Sequence, residues 1–245
     1  MRKLLTFLVL PFFSLLLLAC ENEPAAPEVD YTLQLAYEVD GEPVLPETMQ
    51  YTTQSGYRYS ISKLEYYISD IRLIAADGKI KPVVGVHYVN FLDNSTSLIR
   101  LPDDASGTYT SLTCNIGIGP DMNKTAALPN TLANANMAWP DQMGGGYHFL
   151  KLEGTYEAGN GAGVKGYAMH LGKNENLVKV TLAKDFRLDK NRPQFKLVMN
   201  VNEWFSNPRA IDFEVDGTFS MYDQQYMQKL VLNGATVFKF ADEND

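Results

Sequence analysis

Leu64-Glu65-Tyr66-Tyr67-Ile68-Ser69-Asp70-Ile71-Arg72-Leu73, continued by Ile74-Ala75-Ala76-Asp77-Gly78-Lys79, is the stretch that decides the fold class. Leu64, Tyr66 and Ile68 recur at every second position, which in a pleated strand places them on one face. The apolar phase then moves to Ile71 and Leu73, an odd step that predicts a bulge near Ser69-Asp70. Asp77-Gly78 is a tight-turn pair, so a hairpin is expected into a second strand over residues 79–88.

Upstream, Tyr31, Leu33, Leu35, Tyr37 and Val39 repeat the same period, and Asp40-Gly41 closes that strand with a turn. Further strands are expected over residues 86–92, 107–118, 147–156, 164–171, 177–182, 194–201 and 210–213. Many short strands without alternating long helices predict an all-β chain, a single β-sandwich or barrel-like domain over residues 31–240. One helix is expected near the end, where Tyr226, Met227, Leu230 and Val231 share a stripe, Asp223 can cap the start and Gly234 suits the stop. Shorter helical turns are expected at residues 131–136 and 202–205.

The N-terminus reads as a bacterial lipoprotein signal. Arg2 and Lys3 precede an apolar run over residues 4–18, and Leu17-Leu18-Ala19-Cys20 resembles a lipobox. The run is short for a membrane span and ends at a processing site, so residues 1–19 are expected to be removed, leaving lipid on Cys20. Residues 20–30 are acidic and rich in Pro and Ala, the composition of a tether, and residues 241–245 form an acidic tail. The expected location is the bacterial cell envelope, held to the outer membrane through lipid on Cys20.

A formal charge of −8 excludes nucleic acid as a partner, because phosphate binding requires clustered Lys and Arg. With Cys20 lipidated, Cys114 is the one thiol left and reads as a buried structural residue. The usual nucleotide-binding, hydrolase and zinc motifs are missing, and no catalytic pair of carboxylates stands out, so no enzyme activity is expected.

What remains is three histidines and a loop of mixed chemistry. Asn136-Met137-Ala138-Trp139-Pro140-Asp141-Gln142-Met143 runs into Gly144-Gly145-Gly146-Tyr147-His148, immediately before a strand. The glycines supply backbone freedom at the strand entrance. Residues 157–163 look like a hairpin connection between the strands that carry His148 and His170. A hairpin centred on Gly159 sets the two imidazoles directly opposite, with Cβ atoms ~5 Å apart, and one centred on Asn160 makes them diagonal neighbours on one face. A half-residue shift sends them to opposite faces. On the even strand pattern, His148 shares a face with Leu150 and Leu152. Met137, Met143 and Met169 lie nearby in sequence as candidate auxiliary ligands, and imidazole with thioether suits copper better than magnesium or calcium.

The order of several motifs is similar to that of MbnP-like proteins, a copper-binding family named after a methanobactin-operon member. These motifs are residues 59–73, Val86-His87-Tyr88-Val89, Met137-Ala138-Trp139-Pro140, residues 146–154, Met169-His170-Leu171-Gly172, Trp204-Phe205 and residues 233–238. The resemblance spans nearly all of residues 31–240. It implies a β-rich periplasmic or surface protein that binds copper through histidine, with His87 and His170 at family histidine positions. It also implies that Trp139 can be oxidised to kynurenine by a di-haem partner resembling cytochrome c peroxidases. The chain departs from the pattern at Asp141, where relatives often carry a second tryptophan, and at Tyr222, where they often carry histidine. Gly144 and Gly145 lengthen the loop.

The expected function is a lipid-anchored envelope protein for copper acquisition, storage or delivery, with His87, His148 and His170 as ligands. The alternative is a metal-free envelope module whose tyrosine-rich surface holds a glycan, peptide or protein.

Overall fold

The computed structural model describes residues 29–241. The signal segment, Cys20, the tether as far as residue 28 and the last four residues of the acidic tail lie outside the described residues.

Twelve strands follow in chain order: β1 (Thr32–Val39), β2 (Glu42–Pro43), β3 (Tyr51–Thr52), β4 (Arg58–Ile74), β5 (Ile80–Asn90), β6 (Leu98–Arg100), β7 (Gly107–Ile116), β8 (His148–Glu157), β9 (Val164–Gly172), β10 (Val178–Leu188), β11 (Gln194–Asn200) and β12 (Phe238–Phe240). The α-helices are α1 (Leu132–Asn136), α2 (Glu203–Ser206) and α3 (Gln224–Gly234). The strands form two sheets, one in the order β12-β11-β1-β2 with β6 on β1, the other β10-β7-β4-β8-β9 with β3 and β5 on β4. Of the two expected architectures, this is the sandwich. The smaller sheet is mixed, because β1 and β11 run parallel, pairing Leu33 with Phe195 and Leu35 with Leu197.

β4 is the spine of the larger sheet. Tyr66 pairs with Val89 on one side and Leu150 on the other, and Ile68 with His87 and Ile116. A strand residue has one neighbour per side, so β5 runs along one edge of β4 while β8 and then β7 share the other. The bulge is where the apolar phase predicts it: Asp70 takes φ 51°, and the β4–β5 register slips between Ser69 and Ile71. The slip keeps Leu64, Tyr66, Ile68, Ile71 and Leu73 all in the core. Each such side chain contributes roughly 1.5–3 kcal/mol by leaving water.

One apolar core joins both sheets. Residues 210–213 are not a strand. Ile211 and Phe213 are buried from a loop, anchored by the Ile211 N–H donating to the Phe205 carbonyl (2.8 Å), so burial and not pairing explains their apolar spacing. α3 starts at Asp223, whose carboxylate accepts from the N–H groups of Gln225 and Tyr226. Gly234 is the last residue of α3 and does not lie beyond it, and it packs against the Trp204 ring. Thr131 caps α1 by accepting from Asn134 N–H, and α2 covers the other expected helical turn.

Candidate metal centre

The segment before β8 is tied down by side chains from residues 123–125. Gly144, Gly145 and Gly146 all have positive φ, 110°, 69° and 84°. At Gly146 this conformation is coupled to a close approach, since a Cβ there would overlap the Asn123 side chain. Asn123 Oδ1 accepts from Tyr147 N–H (2.9 Å), and Thr125 Oγ1 accepts from Gly146 N–H (3.2 Å) while donating to Asp141 (2.8 Å). Trp139 N–H donates to Gly146 O (2.9 Å), and His148 N–H to Met137 O (2.7 Å). The tryptophan segment is thereby folded back onto the start of β8.

His148 and Gly172 both meet the indole. Its ring meets His148 edge to face at a centroid separation of 4.7 Å. The ring also lies on Gly172, where a Cβ would overlap the benzo ring, so the close approach needs glycine. Trp139 is 2% exposed, and its Nε1 has no hydrogen-bond partner among the described residues.

His148 and His170 stand together, with ring centroids 5.1 Å apart and planes at 89°. The route to this pairing differs from a regular hairpin. Over most of β8–β9, Lys151 pairs with His170, Leu150 with Leu171 and Leu152 with Met169. This is the half-residue shift, which in an unbroken ladder would leave His148 on the core face with Leu150 and Leu152. The register slips between His148 and Leu150, so His148 pairs with Gly172. The extra residue, Phe149, turns His148 to the outer face beside His170, and His148 does not share the face of Leu150 and Leu152.

Each imidazole is held by one nitrogen. His148 Nδ1 lies 3.2 Å from Met137 O, and His170 Nε2 lies 3.0 Å from Glu153 Oε1. Glu153 also pairs with Lys63 (3.2 Å). The main chain of His170 is clamped by Ser220, whose Oγ accepts from His170 N–H (2.7 Å) and donates to His170 O (2.6 Å). His170 Nδ1 is buried and has no partner among the described residues.

Burial, then the Lys151 charge and His170, push the His148 pKa down to about 3. His148 is therefore neutral at physiological pH, the form that ligates metals. The hydrogen bond from His170, with help from Lys63, holds the Glu153 carboxyl down at about 2.

His87 is not brought to this pair. It stands opposite Ile68 and alternates with Val89, on the core-side face of the sheet, whereas His170 shares the outer face with Lys151 and Glu65. Its ring lies over Gly85, its Nε2 is buried without a partner, and burial lowers its pKa. Met169 pairs with Leu152 on the core face, away from the imidazoles. Met143 is half-buried against the core, and Met137 engages His148 through its backbone carbonyl. Cys114 is buried, and desolvation followed by the Asp70 charge raises its thiol pKa to about 12.

No cluster of three or more His, Cys, Asp or Glu that could hold a metal stands among the described residues. What the fold assembles is an imidazole pair walled by an indole, with one ring nitrogen buried and unpartnered. That donor set fits copper, which accepts imidazole nitrogen readily. Glu153 and Ser220 escape sequence reasoning, because only the observed register sets Glu153 beside His170 and only the packing of residues 218–220 on β9 delivers Ser220.

The MbnP family model matches residues 28–223. Among solved structures, MbnP from Methylosinus trichosporium is similar, with a TM-score of 0.52 over 75% of this chain and 78% of that one, at 17% identity. At that identity the likeness shows the fold. Curated protein sequences contain no match. With a family model covering most of its length and a two-sheet sandwich in agreement, the chain belongs to the MbnP family.

Proposed function

We propose that this protein binds copper between His148 and His170, and that it serves copper acquisition, storage or delivery in the bacterial envelope. The reading rests on one observation above the others: two imidazoles, each anchored by one nitrogen, meet at 5.1 Å beside a buried indole. Bound there, copper would be held by imidazole nitrogen, and the buried Trp139 would exclude water from that side. Family membership and the donor chemistry support copper over harder cations.

The protein acts as a binder and not as an enzyme in this reading. Lipid on Cys20 would hold it at the outer membrane. Trp139 is the proposed site of oxidation to kynurenine by a di-haem partner of the cytochrome c peroxidase kind, supported by the placement of its ring 4.7 Å from His148.

Copper titration followed by elemental analysis tests the reading. The H148A/H170A variant should lose high-affinity uptake, and H87A, altered on the opposite face, should keep it. Unchanged uptake by H148A/H170A overturns the proposal. Mass spectrometry of protein from its own host tests the oxidation, which an unmodified Trp139 refutes.

A further inference from the structure

Two hydrogen bonds at the imidazole pair differ in a way that fixes protons. The acceptor at His170 Nε2 is the carboxylate of Glu153, at 3.0 Å. An ionised carboxylate only accepts, so Nε2 must carry the hydrogen. The acceptor at His148 is a backbone carbonyl, Met137 O, 3.2 Å from Nδ1, and by the same rule that nitrogen carries the hydrogen. The two rings are thus held in opposite tautomers. His170 Nδ1 is buried with no acceptor in reach, which suits a lone pair and not an N–H.

We infer that Glu153 is a positioning residue that holds His170 as its Nε2–H tautomer, so that the pair presents His148 Nε2 and His170 Nδ1 as its donor atoms. The assignment of these atoms as metal donors rests on the copper reading; the tautomers themselves do not.

The surroundings are built for this role. Glu153 also pairs with Lys63 at 3.2 Å. Ser220 grips the His170 backbone from both sides of the residue, so the ring is steered from the main chain as well as from Nε2. A carboxylate behind a ligating histidine orients the ring and raises its basicity, and removing such a partner typically costs 10–100-fold in metal affinity.

The test is made first on metal-free protein labelled with 15N-histidine, by two-bond proton–nitrogen correlation at pH 7.5. Expected are His170 protonated at Nε2 and His148 at Nδ1. In Glu153→Ala the His170 signal should move toward a mixture of tautomers, and copper affinity should fall roughly 10–100-fold. Lys63→Ala should leave the His170 tautomer unchanged. A wild-type His170 protonated at Nδ1, or the same tautomer in Glu153→Ala as in wild type, overturns the inference. If Glu153→Ala fails to fold, the wild-type spectrum still decides the tautomers, and His170 protonated at Nδ1 still overturns the inference. The expected tautomers in a wild-type protein that takes up no copper would support the Glu153 assignment while removing the copper reading.

Discussion

His148 and His170 meet edge to face at 5.1 Å although they are two steps out of register, His148 opposite Gly172 and His170 opposite Lys151. A regular ladder with the Lys151–His170 pairing would have placed His148 in the core. The single extra residue Phe149 reverses that, and its own side chain remains fully buried. The site therefore depends on a local irregularity at the entrance of β8, which the stapled glycine segment delivers in one orientation.

Acid should destabilise the fold through His148. Its pKa is about 3 in the folded protein, while in the unfolded chain it is the ordinary ~6.5. Between those values the unfolded state binds the extra proton, so stability is full above pH ~6.5 and declines as the pH falls toward 3, by roughly 1 kcal/mol per pH unit. His87, also lowered by burial, adds to the same trend. Urea unfolding at pH 7 and pH 5 should show a smaller pH difference for H148Q than for wild type; equal differences would contradict the shift.

Gly172→Ala should displace the indole. The added methyl would overlap the benzo ring of Trp139. Overpacking of this kind costs roughly 1–3 kcal/mol. A lower urea midpoint with altered tryptophan emission is expected, and a variant with wild-type stability and emission would show that the ring does not rest on Gly172.

Cys114 should be inert in the native protein. It is buried, and its thiol is raised to about 12, so reactive thiolate is scarce at neutral pH. A thiol reagent should label Cys114 only after unfolding in denaturant. Rapid labelling of the folded domain would place the residue nearer the surface.

Asp223→Ala should weaken the last helix. The carboxylate satisfies the N–H groups of Gln225 and Tyr226 at the start of α3. Losing such a cap costs ~1 kcal/mol. Thermal unfolding should register the loss, and Asp223→Asn should restore much of it.

Much of the fold was legible because its signals are local. Leu64 to Leu73 announces the bulge through a change in apolar phase, and Asp223 announces a helix start through its own hydrogen-bonding chemistry. Residues 210–213 misled for the same reason. Ile211 and Phe213 have strand-like spacing, but an apolar side chain can be buried from a loop as well as from a ladder.

The imidazole pair was legible only in part. The sequence places His148 and His170 on two strands of one hairpin, and that much depends on the turn residues between them. Whether they share a face depends on a one-residue slip, and period-two alternation turns any such slip into a change of face.

By itself, then, the amino-acid order determined what neighbouring residues can decide among themselves: strand periodicity, the β4 bulge, the hairpin turns and the helix cap. Tertiary structure decided the rest. It slipped the register at Phe149 and laid Trp139 on Gly172. It also put His87 on the far face and brought Glu153 and Ser220 to His170. The contacts at His170 reach 17 residues back to Glu153 and 50 residues on to Ser220. Their geometry follows from how two sheets and a loop pack together, and no local pattern of side chains encodes it.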